Sequence, residues 1–436
     1  MSKIKLKRPR GTRDLLPWDM IKRRHVMETI RSVFELYGYD EVETPAFEFL
    51  DILTAKCGPE VREQIYSFKD KAGRDLGLRF DLTVPLARII ASNPNIPKPF
   101  KRYCISRVWR YEEPQSGRFR EFWQADVDIV GSSKMESDAE VIAVAITCLK
   151  KLGMKNFKVR LNNRKILESI VLSAGVDETS SLSIFRAIDK LDKLGYEGVK
   201  QELKKLGLTD LQISMIMRQI SKSGNLDDIE GEVNHLLTAR GKEGINELAE
   251  IISNLELYEY ANHVIVDLSL ARGLDYYTGP IFEISAETTV NVGSVAGGGR
   301  YDNLIELLGG PPTPATGISL GIDRIVEVLD EACMLPSAKT RTQVFVAYVN
   351  PSVKPEAFRI AEKLRAEGIK VEVDLMGRKL DRQLKYADVK GIPYAIMIGP
   401  EELKQGIYKL RDMRNRNEKL LTFQKIVDII KLASPT

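Results

Sequence analysis

Two stretches of two-residue alternation, Lys101–Glu112 and Arg120–Val130, constrain this chain more than any other feature. In the first, Tyr103, Ile105, Trp109 and Tyr111 share one parity. In the second, Trp123, Ala125, Val127 and Ile129 do the same. The connecting EPQSGRF contains Pro and Gly, so the reading is two long antiparallel strands joined by a loop. The opposite parity carries Arg110 and Glu112 on the first strand, and Phe122, Gln124, Asp126 and Asp128 on the second. A face of Arg, Glu, Gln and Asp backed by aromatic and aliphatic residues suits the floor of a polar pocket. A solvated face with surface ion pairs is the competing reading. Arg118 and Arg120 stand in or beside the loop, where a guanidinium is suited to fixed contact with phosphate.

The pattern around this pair sets the organisation. Met27, Ile30, Phe34 and Tyr37 predict a helix over 18–37, ended by Gly38, with a short strand from Tyr39 to Glu43 before Pro45. Residues 64–69 and 76–81 predict a hairpin around KAGRD. Asp81 or Thr83 suits an N-cap for a helix reaching Ala91. From 160 to 262 the chain becomes Leu/Ile/Lys/Glu-rich at helical spacing, with Ile213, Ile216, Met217 and Ile220 as one stripe. Strand signals resume in VIVDLS, IFEISAE and VGSVAGGGRYD, followed by a helix over 321–332. After the linker LPSAKTRT, strands and helices alternate as in a small α/β domain. The expectation is an α+β protein. An antiparallel-sheet domain spans 1–160 and 262–335, a helical insertion spans 161–261, and an α/β domain spans 340–436.

Composition excludes several classes. Of 436 residues, 43% are hydrophobic and 29% charged, so the chain has material for real cores and is neither disordered nor collagen-like. No apolar run approaches the roughly 18 residues that span a bilayer, and the basic N-terminus MSKIKLKRPR leads into no apolar stretch. A cytoplasmic protein with no membrane partner is expected. Four scattered cysteines (Cys57, Cys104, Cys148 and Cys333) argue against a disulfide framework or structural zinc. His25, His235 and His263 stand apart from one another, which disfavours triad or His-metal chemistry, and no metal ligands are assigned. The net charge of +4 is small, but 340–436 holds 19 Lys and Arg against 12 Asp and Glu. That basic module hints at a polyanionic partner.

Two further stretches concentrate chemistry. ARGLDYYTG clusters Arg272, Asp275, Tyr276 and Tyr277. GGGRYD (297–302) reads as needing unusual backbone freedom, or as a turn. Neither a Walker loop nor a strand-to-helix GxGxxG is present, so any use of ATP takes another route. Arg324 lies in the first turn of its helix, off the apolar stripe, where an anion could bind.

Taken together, RYCISRVWRYEEPQSGRFREFWQADVDIVG resembles the second signature of class II aminoacyl-tRNA synthetases. Residues 18–45 resemble the first signature, and GISLGIDRI the third. ARGLDYYTG and GSVAGGGRYDNL are similar to the two peptides peculiar to histidyl-tRNA synthetases. LRFDLTVPLAR and Asp128 resemble the archaeal and eukaryotic branch. The resemblance runs along the whole chain and is weakest in the helical insertion.

It implies activation of L-histidine by ATP, transfer to the 3′ end of a tRNA, magnesium bridging the β- and γ-phosphates, and a homodimer formed through 18–37 and its strand. By position it implies that Arg110 and Arg272 act at the α-phosphate and substrate carboxylate. Glu112, Arg118, Phe122 and Arg324 would hold ATP. Asp128 and Tyr277 would read the imidazole, Asp81, Thr83 and Gln124 would hold the amino group, and Tyr276 would line the pocket. The loop Glu113–Phe119 would approach the acceptor end, and Arg411, Arg414 and Arg416 the anticodon arm. A non-charging paralogue serving as regulatory subunit of ATP phosphoribosyltransferase is the main rival. The retained arginines and the basic C-terminal module argue against it. A synthetase for glycine, threonine or proline is the second rival, opposed by the two histidine-type peptides.

Overall fold

The computed structural model describes residues 6–55, 58–114, 117–272, 276–288 and 292–433. The chain divides into two compact units, Met1–Arg13 with His25–Leu335, and Asp14–Arg24 with Pro336–Thr436.

The first unit is built on a nine-stranded sheet. In chain order its strands are β1 (Asp40–Glu41), β2 (Phe100–Trp109), β3 (Glu121–Val130), β4 (Phe157–Asn163), β5 (Ser223–Gly224), β6 (Val264–Asp267), β7 (Pro280–Ala286), β8 (Ser294–Arg300) and β9 (Ala315–Gly321). In space they run β1-β2-β3-β9-β8-β7-β4-β6-β5. Pairing is parallel at β1·β2 and β4·β6, and antiparallel at every other junction. The β2–β3 ladder sets Tyr103 opposite Val127 and Ile105 opposite Ala125 on one face. Arg102 opposite Asp128, Cys104 opposite Asp126 and Ser106 opposite Gln124 occupy the other.

The apolar face packs against α1 (Pro17–Leu36), through Val26, Ile30, Val33 and Phe34, and against α3 (Met135–Lys151). Between them in sequence, α2 (Thr83–Ser92) opens beside the polar face; Leu82 is its N-cap, and the Asp81 carboxylate just before it accepts the first-turn Val84 N–H at 3.1 Å. Helix α3 has no clean 3.6-residue polar face in its sequence, because twelve of its residues are buried. A helix covered on all sides loses the periodicity that betrays surface helices.

Between Arg164 and Leu257 the chain forms successive helices with one short strand, β5, among them. Ile213, Ile216, Met217 and Ile220 join Phe185 and Ile188 in a core that also contains Tyr276, Tyr277 and Tyr301. The helical block is therefore continuous with the wall of the polar pocket. Strand β4 carries the sheet through Asn163, pairing residue for residue with β7. The last helix of this unit, α4 (Ile322–Glu331), follows β9 directly.

The second unit contains a five-stranded sheet with helices Lys354–Ala366 and Phe423–Ala433 over one face and Leu380–Lys390 over the other. Two parallel pairings at Val344–Tyr348 give way to antiparallel ones at Tyr394–Ile398, Ile407–Asp412 and Glu418–Thr422. The last two strands form a hairpin that exposes Arg414 and Arg416 at its tip, whereas Arg411 pairs with Glu418.

Candidate active site

The polar face of β2, β3, β9 and β8 forms the floor of two adjoining cavities. Both are lined by Arg110, Gln124, Arg272, Gly297 and Ser319. One adds Asp81, Thr83, Asp126, Asp128, Tyr276, Tyr277 and Tyr301. The other adds Glu112, Arg118, Phe119, Phe122, Trp123, Asp323 and Arg324. Every residue assigned from the sequence to histidine or ATP lines one of them, although β2, β9 and Arg324 are far apart in the chain. Arg120, also considered for phosphate, lines neither and instead donates to the Glu112 carbonyl and lies over the Tyr111 ring. Asp275, Gln115 and Ser116 lie outside the described residues, as does Cys57.

The first cavity is a carboxylate pocket. Arg102, 1% exposed, pairs with Asp128 at 2.8 Å and donates to the Leu82 carbonyl at 2.8 Å. The Tyr301 hydroxyl also donates to Asp128. Tyr276 donates to Asp81 at 3.3 Å. Gln124 donates its amide N–H to the Ser319 hydroxyl at 2.7 Å. Burial raises the pKa of all three carboxyls, taking Asp81 to about 6 and Asp126 to about 7. For Asp128 the neighbouring Arg102 and the Tyr301 hydroxyl oppose that rise.

The second cavity is an arginine cleft. Arg110 donates to the Phe80 carbonyl at 3.0 Å, and its guanidinium lies 5.3 Å from the Phe122 ring centre. Arg118 is 3.9 Å from the Glu112 carboxylate. Arg324, in the first turn of α4, donates to the Ser294 carbonyl at 2.6 Å. Burial and repulsion from Arg118 and Arg110 lower its pKa to about 10. A cation crowded by two others in this way favours a polyanionic occupant.

Arg272 reaches both cavities. Its backbone has φ of 48°, an uncommon conformation for a side-chain-bearing residue, and its guanidinium meets Glu283 at 3.2 Å.

The glycine triplet corrects one expectation. Gly297, Gly298 and Gly299 lie in mid-strand in β8, in regular antiparallel register with β7 and β9, and not in a turn. What they supply is space. A methyl group on Gly297 would lie 2.5 Å from Cζ of Arg272, and one on Gly299 would lie 2.8 Å from the Tyr277 ring. On Gly298 it would come within 2.6 Å of the Phe282 ring.

Several residues were missed in the sequence reading. Arg102 is detectable in principle, since it sits directly across the ladder from Asp128. Tyr301, Ser319 and Glu283 come from β7, β9 and the end of β8, whose neighbours are set by long-range pairing. Arg13 packs its guanidinium 3.4 Å from the Phe119 ring centre and pairs with Asp323. Of the histidines, His263 stacks on Phe157 at 4.6 Å, and His25 and His235 are exposed. None lines either cavity.

Residues 11–325 match the family model for histidyl-tRNA synthetase, and residues 343–432 the model for an anticodon binding domain. The chain belongs to the histidyl-tRNA synthetase family. The histidine–tRNA ligase of Pyrococcus furiosus is 41% identical over 433 residues, which is 99% of this chain and 100% of that one. Among solved structures, a histidyl-tRNA synthetase from Nostoc superposes with a TM-score of 0.84 at 30% identity, covering 99% of this chain and 100% of its own. A Bacillus halodurans structure described as an ATP phosphoribosyltransferase regulatory subunit/histidyl-tRNA synthetase gives 0.74 at 28%, covering 88% and 97%. Members of this family are class II ligases that use ATP, and the resemblance read from the signature peptides extends to the full length.

Proposed function

We propose that this chain activates L-histidine with ATP, giving histidyl-adenylate and pyrophosphate, and then transfers the histidyl group to the 3′ end of its tRNA. The observation that carries this reading is the pair of adjoining cavities: a carboxylate-and-tyrosine pocket opens into an arginine cleft, with Arg110 and Arg272 lining both.

The first step is displacement at the α-phosphate by the amino acid's carboxylate. That nucleophile is already ionised at neutral pH, so the site needs alignment and charge neutralisation in place of a general base. Arg110 and Arg272 take the α-phosphate and the carboxylate, Arg118 and Arg324 the outer phosphates. Phe122 stacks on adenine and Glu112 holds the ATP end. Asp128 accepts from one imidazole nitrogen and the Tyr277 hydroxyl engages the other, because a site built to hydrogen-bond a polar group rejects analogues lacking it. Asp81, Thr83 and Gln124 hold the amino group, with Tyr276 bracing Asp81.

Among the described residues no cluster of three His, Cys, Asp or Glu side chains could hold a metal, whereas the arginine cleft suits a phosphate chain. Bound together with ATP, magnesium would supply charge neutralisation for the phosphate chain, and Glu112, which lines the arginine cleft, would help hold it.

The 340–436 unit binds the anticodon arm through the exposed Arg414 and Arg416 together with Arg411, and the loop 113–119 meets the acceptor end. Domain limits of 1–160 with 262–335, 161–261 and 340–436 follow from this division of labour. The protein is a cytoplasmic homodimer. Residues 18–37 and the following strand form its interface, and the exposed Phe47, Phe49 and Phe68 supply apolar area of the kind an interface covers. Among the described residues no helix is long and apolar enough to cross a membrane.

Exchange of labelled pyrophosphate into ATP tests the first step. Exchange dependent on histidine, and on none of the other nineteen amino acids, supports the reading. Exchange with a different amino acid overturns its specificity, and no exchange overturns the activity.

A further inference from the structure

Asp126 is a buried carboxyl in the pocket that the reaction above does not use. It is 3% exposed and lines the carboxylate pocket between Gln124 and Asp128 on the same face of β3. Its Oδ1 is buried without a hydrogen-bond partner. A buried carboxylate oxygen left unmatched is costly unless something else completes it. Within the protein, Ser319 hydrogen-bonds to the other side of the group, and Gln124 in turn holds Ser319.

The charges around it are unequally shared. Arg102 faces it from β2 but pairs with Asp128 at 2.8 Å. Cys104, directly across the ladder, is a neutral thiol whose pKa burial raises to about 12. Asp128 and Asp81 add negative charge, and the Tyr277 hydroxyl is neutral. The missing partner is therefore a cationic donor.

Spacing says which donor. Asp128 and Asp126 are two residues apart on one strand face, so they are separated by about 6.6 Å along the strand. Asp128 lies beside Gly317, where the ring-reading end of the pocket is. Asp126 is level with Ser319 and Gly297, and the Arg272 guanidinium covers Gly297. An imidazole at the first level places the substrate's α-ammonium at the second and its carboxylate toward Arg110 and Arg272.

Resting on the proposed histidine activation, we propose that Asp126 is a further substrate-binding residue, whose free oxygen accepts a hydrogen bond from the α-ammonium of the bound histidine alongside Asp81. Binding then draws a proton off Asp126. Its carboxyl is raised to about 7 in the free site, and an ammonium partner favours the ionised form. Histidine affinity consequently weakens as pH falls below about 7.

The test uses full-length protein, Asp126→Asn and two ligands that each lack one group. Histidinol keeps ring and ammonium; imidazolepropionate keeps ring and carboxylate. Expected is a tenfold or greater rise in the histidine KM and histidinol Kd in Asp126→Asn, with the ATP KM and the imidazolepropionate Kd within twofold. On wild-type protein, with each free ligand's own ring titration measured separately and divided out, histidinol should weaken relative to imidazolepropionate between pH 8 and 6, and this difference should shrink in Asp126→Asn. Equal weakening of both ligands in the variant overturns the proposal, as does a wild-type difference that does not change with pH. The wild-type measurement stands even if Asp126→Asn fails to fold. Absence of histidine-dependent exchange in wild type would instead overturn the underlying reading.

Discussion

Gly297→Ala is the most informative single substitution in the site. Gly297 sits in regular β8 register, so alanine is compatible with its backbone, and β8 itself should tolerate the change. The added methyl, however, would lie 2.5 Å from Cζ of Arg272 and closer still to Nη1. Carbon atoms in contact prefer about 3.5–4.0 Å, so the guanidinium must retreat by about 1–1.5 Å. Misplacement on the order of 1 Å costs about a hundredfold in rate when the displaced group positions reacting atoms. The expectation is a fall of about a hundredfold in kcat for histidine-dependent pyrophosphate exchange, with a melting temperature close to wild type. Gly298→Ala is the contrast. Its methyl would meet the backbone of β9 and lie 2.6 Å from the Phe282 ring, and neither can yield as a flexible side chain does. That variant should lose stability before it loses chemistry. Near-normal exchange by a folded Gly297→Ala would refute the assignment of Arg272 to the reacting centre.

Four other outcomes follow. Arg272→Ala should abolish most adenylate formation while leaving the fold intact, read by exchange and by circular dichroism. Arg324→Ala should raise the ATP KM at least tenfold and leave the histidine KM within a few-fold, since Arg324 lines only the arginine cleft. Replacing Arg414 and Arg416 with Ala should weaken tRNA charging and flatten its salt dependence by up to about two units of log–log slope, with exchange unchanged. Relative to a variant with Asn at both positions, Asp81 and Asp126 should make the ligand-free protein lose stability as pH rises from about 4 to about 7. The pKa values of Asp81 and Asp126 are raised on folding, so the native state holds more protons than the unfolded one, and ionising these carboxyls above about 6 and 7 destabilises it. A melting temperature that climbs across this interval in wild type, relative to a variant with Asn at both positions, would contradict the sign.

What the sequence disclosed depended on how local the information was. The β2–β3 pair was legible because alternation survives where one face is apolar and the other polar. Parity alone put Gln124, Asp126 and Asp128 together, as the ladder does. The stripe of Ile213, Ile216, Met217 and Ile220 was legible for the same reason at helical period. Helix α3 was not, because burial on every side erased its pattern. The role of Gly297–Gly299 was misread because a glycine's need for space depends on a neighbour. Here Arg272 and Phe282 arrive from other parts of the chain. Tyr301 and Ser319 escaped for the same reason: their chemistry exists only once β8 and β9 pair beside β3.

The two cavities carry opposite electrostatic defects, and this explains why they share a wall. In the carboxylate pocket, Asp81, Asp126 and Asp128 are buried with one fully enclosed counter-ion, Arg102, and burial drives all three toward their neutral forms. In the arginine cleft, Arg110 and Arg118 depress Arg324. A zwitterionic amino acid relieves the first defect through its ammonium, and a polyphosphate relieves the second. Neither ligand alone satisfies Arg110 and Arg272, which line both cavities and to which the proposed function assigns the meeting of the amino acid's carboxylate with the α-phosphate. Those two arginines are best matched when both negative groups are present and approaching one another, which is the charge distribution of the displacement. The free site is thus preorganised around the transition state and mismatched to water, as electrostatic catalysis requires. On this reasoning, histidine and ATP bind with positive coupling, and Arg272→Ala should reduce that coupling more than it reduces the affinity for either ligand alone.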